Sequence, residues 1–341
     1  MGGIRAQQQR DRAMQHFKFC SIIAAAILLG PVSSAGAAEL VKARLAQNLA
    51  PISALTIVAK AQGLFEKEGL DVSVSNFTSG KQALDTVIGG GADIATTAEA
   101  PVTAAAMAGQ PIAFVAGMEY SDIKTLTAKK AAIKSFADLK GKKIAYTAGT
   151  GSEVYTTELL KKAGLTSKDV TLVNLKPQEM LPALAAGSID AYDTWEPHIA
   201  NGRKALGDDV ALLDTKGVYS ETFNIVVMQD YLKANPQIVS KFLAALIAAE
   251  AWVKAHPEEA IEVVSNAVGM KPEDLKPIWS DYVYQVGIGA KQIDALKAHA
   301  QWRLDTKNHP PGVTGVPDFA VVLFPDPLRA LDAARVTYKL N

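Results

Sequence analysis

A chain of 341 residues, 49% hydrophobic and 21% charged, holds enough apolar mass for one large or two medium cores and too much for a disordered segment. Its 35 basic residues balance 35 acidic ones, so no positive surface argues for a nucleic-acid partner and no acidic tail for a solvated linker. A single cysteine excludes a disulfide framework and any cysteine-built metal site.

The first residues differ in character from all that follow. Arg5, Arg10, Arg12 and Lys18 precede the apolar run FCSIIAAAILLGPV and the small-residue string SSAGAA. That order predicts a secretory signal peptide over residues 1–38, with cleavage after Ala37 or Ala38, periplasmic localisation, and Met14 as an alternative start. The run from Phe19 to Val32 is shorter than the roughly 18 to 20 residues of a membrane span, so a permanent anchor is the weaker reading. Cys20 lies inside this run, after HFKF, which does not resemble a lipoprotein cleavage box. The exported chain then carries 31 basic and 34 acidic residues and no cysteine, hence no thiolate nucleophile.

From Lys42 the pattern reads as strand KARLAQN, helix SALTIVAKAQGLFEKEGL, strand DVSVSNF, turn TSGKQ, helix ALDTVIGG and strand ADIATT. From Lys143 it recurs as strand KIAYTA, turn GTGS, helix EVYTTELLKKAGL, strand DVTLVNL, helix QEMLPALAAGS and strand IDAYDT. Strands alternating with helices predict parallel sheets, and the repetition predicts two related α/β lobes. GGADIATTAEAP at 90–101 answers GSIDAYDTWEP at 187–197, each with a proline expected at a first helical position. The lysine-rich KTLTAKKAAIKSFADLKGKK between the repeats reads as a connection. After Asp214 the strand TFNIVVM has no matching repeat behind it. Helices follow: NPQIVSKFLAALIAAEAWVKAHPEEA, with Val239, Phe242, Leu243, Leu246 and Ile247 on one face, then PEDLKPIWSDYVY and AKQIDALKAHAQWRLDT, and a Pro-rich stretch HPPGVTGVPDF. The chain is therefore expected to form a first lobe over 39–122, a second over 123–221, and to return to the first over 222–341. Two crossings make a cleft, and in open α/β sheets ligands sit beyond the carboxyl ends of the strands.

Five segments, IVAKAQGLFEKEGLDV, FTSGKQALDTVIGGGADI, DLKGKKIAYTAGTGS, GSIDAYDTWEP and YLKANPQIVSKFLAALIAAEAW, together resemble the periplasmic solute-binding proteins of ABC importers for nitrate, sulfonates and taurine. The resemblance covers nearly the whole exported chain. It implies a two-lobed type II periplasmic binding protein fold, each lobe a mainly parallel sheet flanked by helices. It also implies a small-molecule solute, an organic sulfonate or related oxyanion, held between lobes that close over it and delivered to an inner-membrane permease. Relatives that act on thiamine pyrimidine precursors are the enzymatic alternative, but their cysteine-rich motif is missing here and only Lys81 offers a reactive side chain at the cleft.

Candidate ligand contacts follow from the strand-to-helix turns. TAGTGSEVYTT leads a Gly-rich turn into a helix, where free amides of Thr150, Gly151 and Ser152 attract anions, unless Thr150 or Ser152 merely caps the helix. Ser79 and Gly80 form the same device in the first lobe, and Asn48 and Ser53 follow the first strand. Thr97 ends the strand ADIATT. Trp195 reads as a ligand-facing wall or as packing at the hinge. Glu99 and Glu196 either meet the ligand or complement a helix dipole, and Asp193 lacks that second explanation. If the anionic end of a solute sits on the amides, these acids favour a cationic other end, as in a taurine-like zwitterion. His198, His256, His299 and His309 show no metal spacing and no nucleophile elbow, so neither a metal nor a cofactor nor catalytic residues are expected. A monomer without nucleic-acid partners is expected.

Overall fold

The computed structural model describes residues 39–338, so the signal-peptide expectation lies outside the described residues. Among them no helix is long and apolar enough to cross a membrane. Their strands are β1 Val41–Asn48, β2 Leu70–Phe77, β3 Ile94–Ala98, β4 Ile112–Asp122, β5 Lys124–Ala128, β6 Lys143–Tyr146, β7 Thr171–Asn174, β8 Ala191–Thr194, β9 Val210–Leu212, β10 Ser220–Met228 and β11 Val283–Gly287.

Two sheets result, ordered β11-β4-β10-β3-β1-β2 and β7-β6-β8-β5-β9. The triplets β2-β1-β3 and β7-β6-β8 are the two sequence repeats, and each is parallel. Beside each triplet lies the strand on which the chain arrives from the other lobe, β10 next to β3 and β5 next to β8, both antiparallel. Strand and helix alternation alone predicts parallel sheets; the crossing strands enter from the opposite end and make both sheets mixed. Each lobe has its own apolar core, with Phe65 stacked on Phe242 at 5.0 Å in the first and Leu126, Ile144 and Tyr192 central to the second.

Several elements depart from the expected pattern. The helix expected from Ser53 to Leu70 stops at Ala61, and a second, short one runs Leu64–Lys67, because Gly63 sits at φ 63° and breaks the ladder. The lysine-rich connection contains β5, whose buried Thr125, Leu126 and Thr127 lie between β8 and β9; threonines in place of valines disguised an interior strand. The long C-terminal helix divides into Pro236–Ala255 and Pro257–Val268, since Pro257 has no N–H to continue the first and is well placed to open the second. PIWSDYVY is not helical throughout: a 3₁₀ turn over Lys276–Asp281 leads into β11. Pro197 precedes the helix His198–Leu206 through a cis bond with Glu196, whereas Pro101 lies in the first turn of the helix Glu99–Met107.

Candidate functional site

The carboxyl ends of β1, β3, β6 and β8 carry the expected turns, and the two lobes meet across them. Lys81, on the helix Gly80–Ile88 of the first lobe, approaches so near Gly149 of the second that a Cβ there would stand 3.2 Å from the lysine stem. Trp302, on the helix Ala290–Asp305, packs with Ala100 of the first lobe and Val154 of the second, and so ties them together.

Many predicted residues cap helices or join neighbouring backbones. Thr150 is the N-cap of the helix Gly151–Lys162, its hydroxyl accepting from the Ser152 amide at 3.2 Å and donating to the Thr147 carbonyl at 2.8 Å. Ser152 donates from Oγ to the Asp193 carbonyl at 2.7 Å and accepts from the Thr147 amide at 3.0 Å. Ser79 caps the helix Gly80–Ile88 by accepting from the Gln82 amide at 3.4 Å. Gly80 is required by close approach: a Cβ would lie 2.8 Å from Thr97 Cα. Asn48 donates its amide to Thr96 Oγ1 at 3.0 Å, and Ser53 meets the same hydroxyl at 3.3 Å.

The three expected acids have different surroundings. Asp193 is fully buried inside the second lobe, where the hydroxyl oxygens of Thr125 and Thr156 lie 2.7 and 2.6 Å from its two oxygens. Burial lifts its pKa to about 7. Glu196 pairs with Lys124 Nζ at 3.0 Å and accepts from the Ala200 amide at 2.8 Å, which engages both oxygens within the second lobe. Lys124 in turn reaches Asp281 of the first lobe, so this ion pair belongs to the hinge. Neither acid is left free to meet a solute. Glu99 differs: its Oε2 accepts from the amide and hydroxyl of Thr222 at 2.7 and 3.0 Å, while its buried Oε1 has no partner. Burial pushes Glu99 up to about 7.

Two acids that sequence reasoning missed lie beside Glu99. Glu119 on β4 and Glu221 on β10 are buried, and neither oxygen of Glu119 nor Oε2 of Glu221 accepts a hydrogen bond. Burial, reinforced by the charge of Glu221, holds Glu119 well above the usual carboxylate range; burial and the charge of Glu99 do the same for Glu221. Glu221 reaches across the cleft, where a Cβ on Gly151 would stand 2.2 Å from its Oε2. Around this trio lie further buried polar atoms without partners, Thr97 Oγ1, Asn224 Oδ1 and Tyr282 OH. At the end of β8, Thr194 Oγ1 and Trp195 Nε1 are likewise buried and unpartnered. Trp195 meets His198 edge-on at 6.2 Å between centroids. The missed signal was an acid placed within an apolar crossing strand, GMEYS and SETFN, where only a buried side chain fits.

Among proteins of known sequence, a putative binding protein from Brucella abortus (strain 2308) is 26% identical over 227 residues, covering 66% of this chain and 70% of that one. The putative aliphatic sulfonates-binding protein of Escherichia coli K12 is 28% identical over 224 residues, covering 63% and 68%. Among solved structures, the alkanesulfonate-binding protein SsuA from Xanthomonas axonopodis pv. citri bound to MOPS superposes with a TM-score of 0.74 at 23% identity, covering 84% of this chain and 99% of that one. It has the same two-lobed fold. The family model described as NMT1/THI5 like matches residues 50–260, which include the second repeat, the first repeat apart from its opening strand β1, both crossings and the acids of the cleft. The chain therefore belongs to the NMT1/THI5-like family.

Proposed function

We propose that the protein is a periplasmic receptor that captures a small organic sulfonate or related oxyanion bearing an amine, and delivers it to an ABC importer permease. The similarity to relatives named for sulfonate binding supports the solute class. The observation that carries the amine is the trio Glu99, Glu119 and Glu221, buried where the lobes meet with no base hydrogen-bonded to them, Lys291 acting on Glu119 through its charge alone. A purely anionic solute would add like charge to this cluster, whereas an ammonium supplies the hydrogen-bond donors that its orphaned oxygens lack. The anionic end belongs at the start of the twelve-residue helix Gly151–Lys162 on the side of the Thr150 amide, since Glu221 Oε2 already lies against Gly151. Thr97, Asn48, Ser53, Ser79 and Gly80 shape the first-lobe wall, and Trp195 an apolar wall of the second.

This reading requires no catalysis. Each lobe supplies half of the site, and closure removes water so that aligned amides act strongly on the bound anion. The test is a thermal-shift screen of the exported chain against amino-sulfonates, alkanesulfonates, nitrate, amino acids and pyrimidines. A true ligand at 100 times its dissociation constant adds about 2.7 kcal/mol of stability. An amino-sulfonate or similar zwitterion is expected to give the largest shift. A larger shift from nitrate, or from a pyrimidine alone, would refute the assignment.

A further inference from the structure

β4 and β10 are neighbours in the first sheet and are also the strands at which the chain leaves that lobe and returns to it. In their register Phe223 lies opposite Glu119, and Glu221 opposite Ser121. Opposed residues of an antiparallel pair share a face, and so do residues two apart. Glu119 and Glu221 therefore project from the same face of adjoining strands as diagonal neighbours, a distance at which like charges repel. An aromatic wall stands beside them. Tyr284 is in register with Glu119, stacks on Tyr282 at 5.8 Å, and donates its hydroxyl to the Pro51 carbonyl at 3.0 Å. The Tyr282 hydroxyl is buried and without a partner, on the ring that stacks against Tyr284 beside Glu119.

Ordinary packing does not explain this pair. Glutamine or leucine fits the same volume without stripping water from two carboxylates, and Ser265 or Gln292 show that the fold tolerates neutral polar groups when buried. The geometry also links the acids to closure. Glu221 touches the first residue of a second-lobe helix, so the position that brings the lobes together is the one that shuts both acids from solvent.

We infer that Glu119 and Glu221 are the specificity-determining seat for the solute's cationic group, and that this group favours lobe closure by bringing a positive charge and hydrogen-bond donors to the two acids carried on the crossing strands. The inference rests on the amine-bearing reading given above. Selection for the amine then takes place at closure: a solute without one binds the open lobes through its anionic end but leaves both acids needing water. An organic ammonium fits better than a metal ion. No group of three or more potential metal ligands occurs among the described residues, and stacked tyrosines favour an alkylammonium through cation–π attraction.

Calorimetry and small-angle scattering on the exported chain, using taurine with ethanesulfonate and 3-aminopropanesulfonate with propanesulfonate, test this with Glu119→Gln and Glu221→Gln. The parent is expected to prefer the amine of each pair by about tenfold or more, as charged hydrogen bonds do, and to compact only with the amine. Either substitution should reduce the preference to about threefold or less and let the amine-free partner compact the lobes. Both variants should unfold no earlier than the parent at pH 8, because a buried charge has been removed; a merely structural role would lower their stability. Preference that survives both substitutions, or variants less stable than the parent, overturns the inference. A parent that binds none of the four sulfonates defeats the receptor reading on which it rests.

Discussion

Replacing Asp193 by asparagine separates the cost of a buried charge from the worth of its hydrogen bonds. Thr156 has one hydroxyl hydrogen, yet its Oγ1 lies 2.6 Å from Asp193 Oδ2 and 2.8 Å from the Ser152 carbonyl. On the other side Thr125 Oγ1 lies 2.7 Å from both Asp193 Oδ1 and Tyr155 OH. With a proton on Oδ2 every hydrogen finds an acceptor: Asp193 donates to Thr156, which donates to Ser152, while Tyr155 donates to Thr125, which donates to Oδ1. Without that proton Thr156 serves only one of its two acceptors. This agrees with the lifting of Asp193 from 3.8 to about 7 by burial. At about 1.4 kcal/mol per pH unit, ionising Asp193 in the fold costs about 4 kcal/mol more than in the unfolded chain. Because the folded value lies above the unfolded one, the stability that comes with the protonated carboxyl is fully present below about pH 4 and is lost as the pH rises through about 7, where the ionisation cost is complete. Asparagine does not titrate and supplies a donor toward Thr156. Urea unfolding of parent and variant from pH 4 to pH 8 should therefore show the variant gaining about 4 kcal/mol on the parent across that range. A difference that changes by less than about 1 kcal/mol would refute the protonated network.

Three further substitutions probe the lobe junction. Gly151→Ala sets a methyl 2.2 Å from Glu221 Oε2 and 3.0 Å from Ile123 Cδ1; it should hold the lobes apart, visible as a larger radius of gyration with saturating solute, and a parent-like radius would show that Glu221 yields freely. Lys124→Met leaves Glu196 buried without its base and should lower stability by about 3 kcal/mol, with an unchanged melting temperature counting against a structural ion pair. Trp302→Ala empties the contact among Ala100, Val154 and Trp302 and should cost about 3 kcal/mol while shifting the chain toward open lobes in scattering. Parent-like compaction would remove Trp302 from the closing interface.

The repeat made the two lobes legible, because strand, turn and helix recur in the same order and the glycines after each helix are kept at Gly69 and Gly164. What the sequence concealed was whatever depends on the crossings. β5 reads as a polar connection because its side chains are threonines that serve Asp193 and the β9 backbone, a role with no hydrophobic signature. β11 hides behind a proline and a tryptophan that break any alternation. The site was half legible for the same reason. Turn chemistry at Thr150, Ser152 and Ser79 is local, so caps are read from neighbouring letters. Thr125 and Thr156 lie 68 and 37 residues from Asp193, and Lys124 lies 72 from Glu196, so only tertiary packing decides which acid is satisfied and which is left facing the cleft.

The most direct test of an amine-bearing solute held by buried acids lets the cell choose the ligand. Native mass spectrometry of the protein, isolated gently from the cells that make it, reports the mass of whatever remains bound, and fragmentation identifies its groups. The account predicts a small molecule carrying both an amine and a sulfonate or related oxyanion, lost from the Glu119→Gln protein. Recovery of a solute with no amine, retained equally by parent and variant, would contradict it.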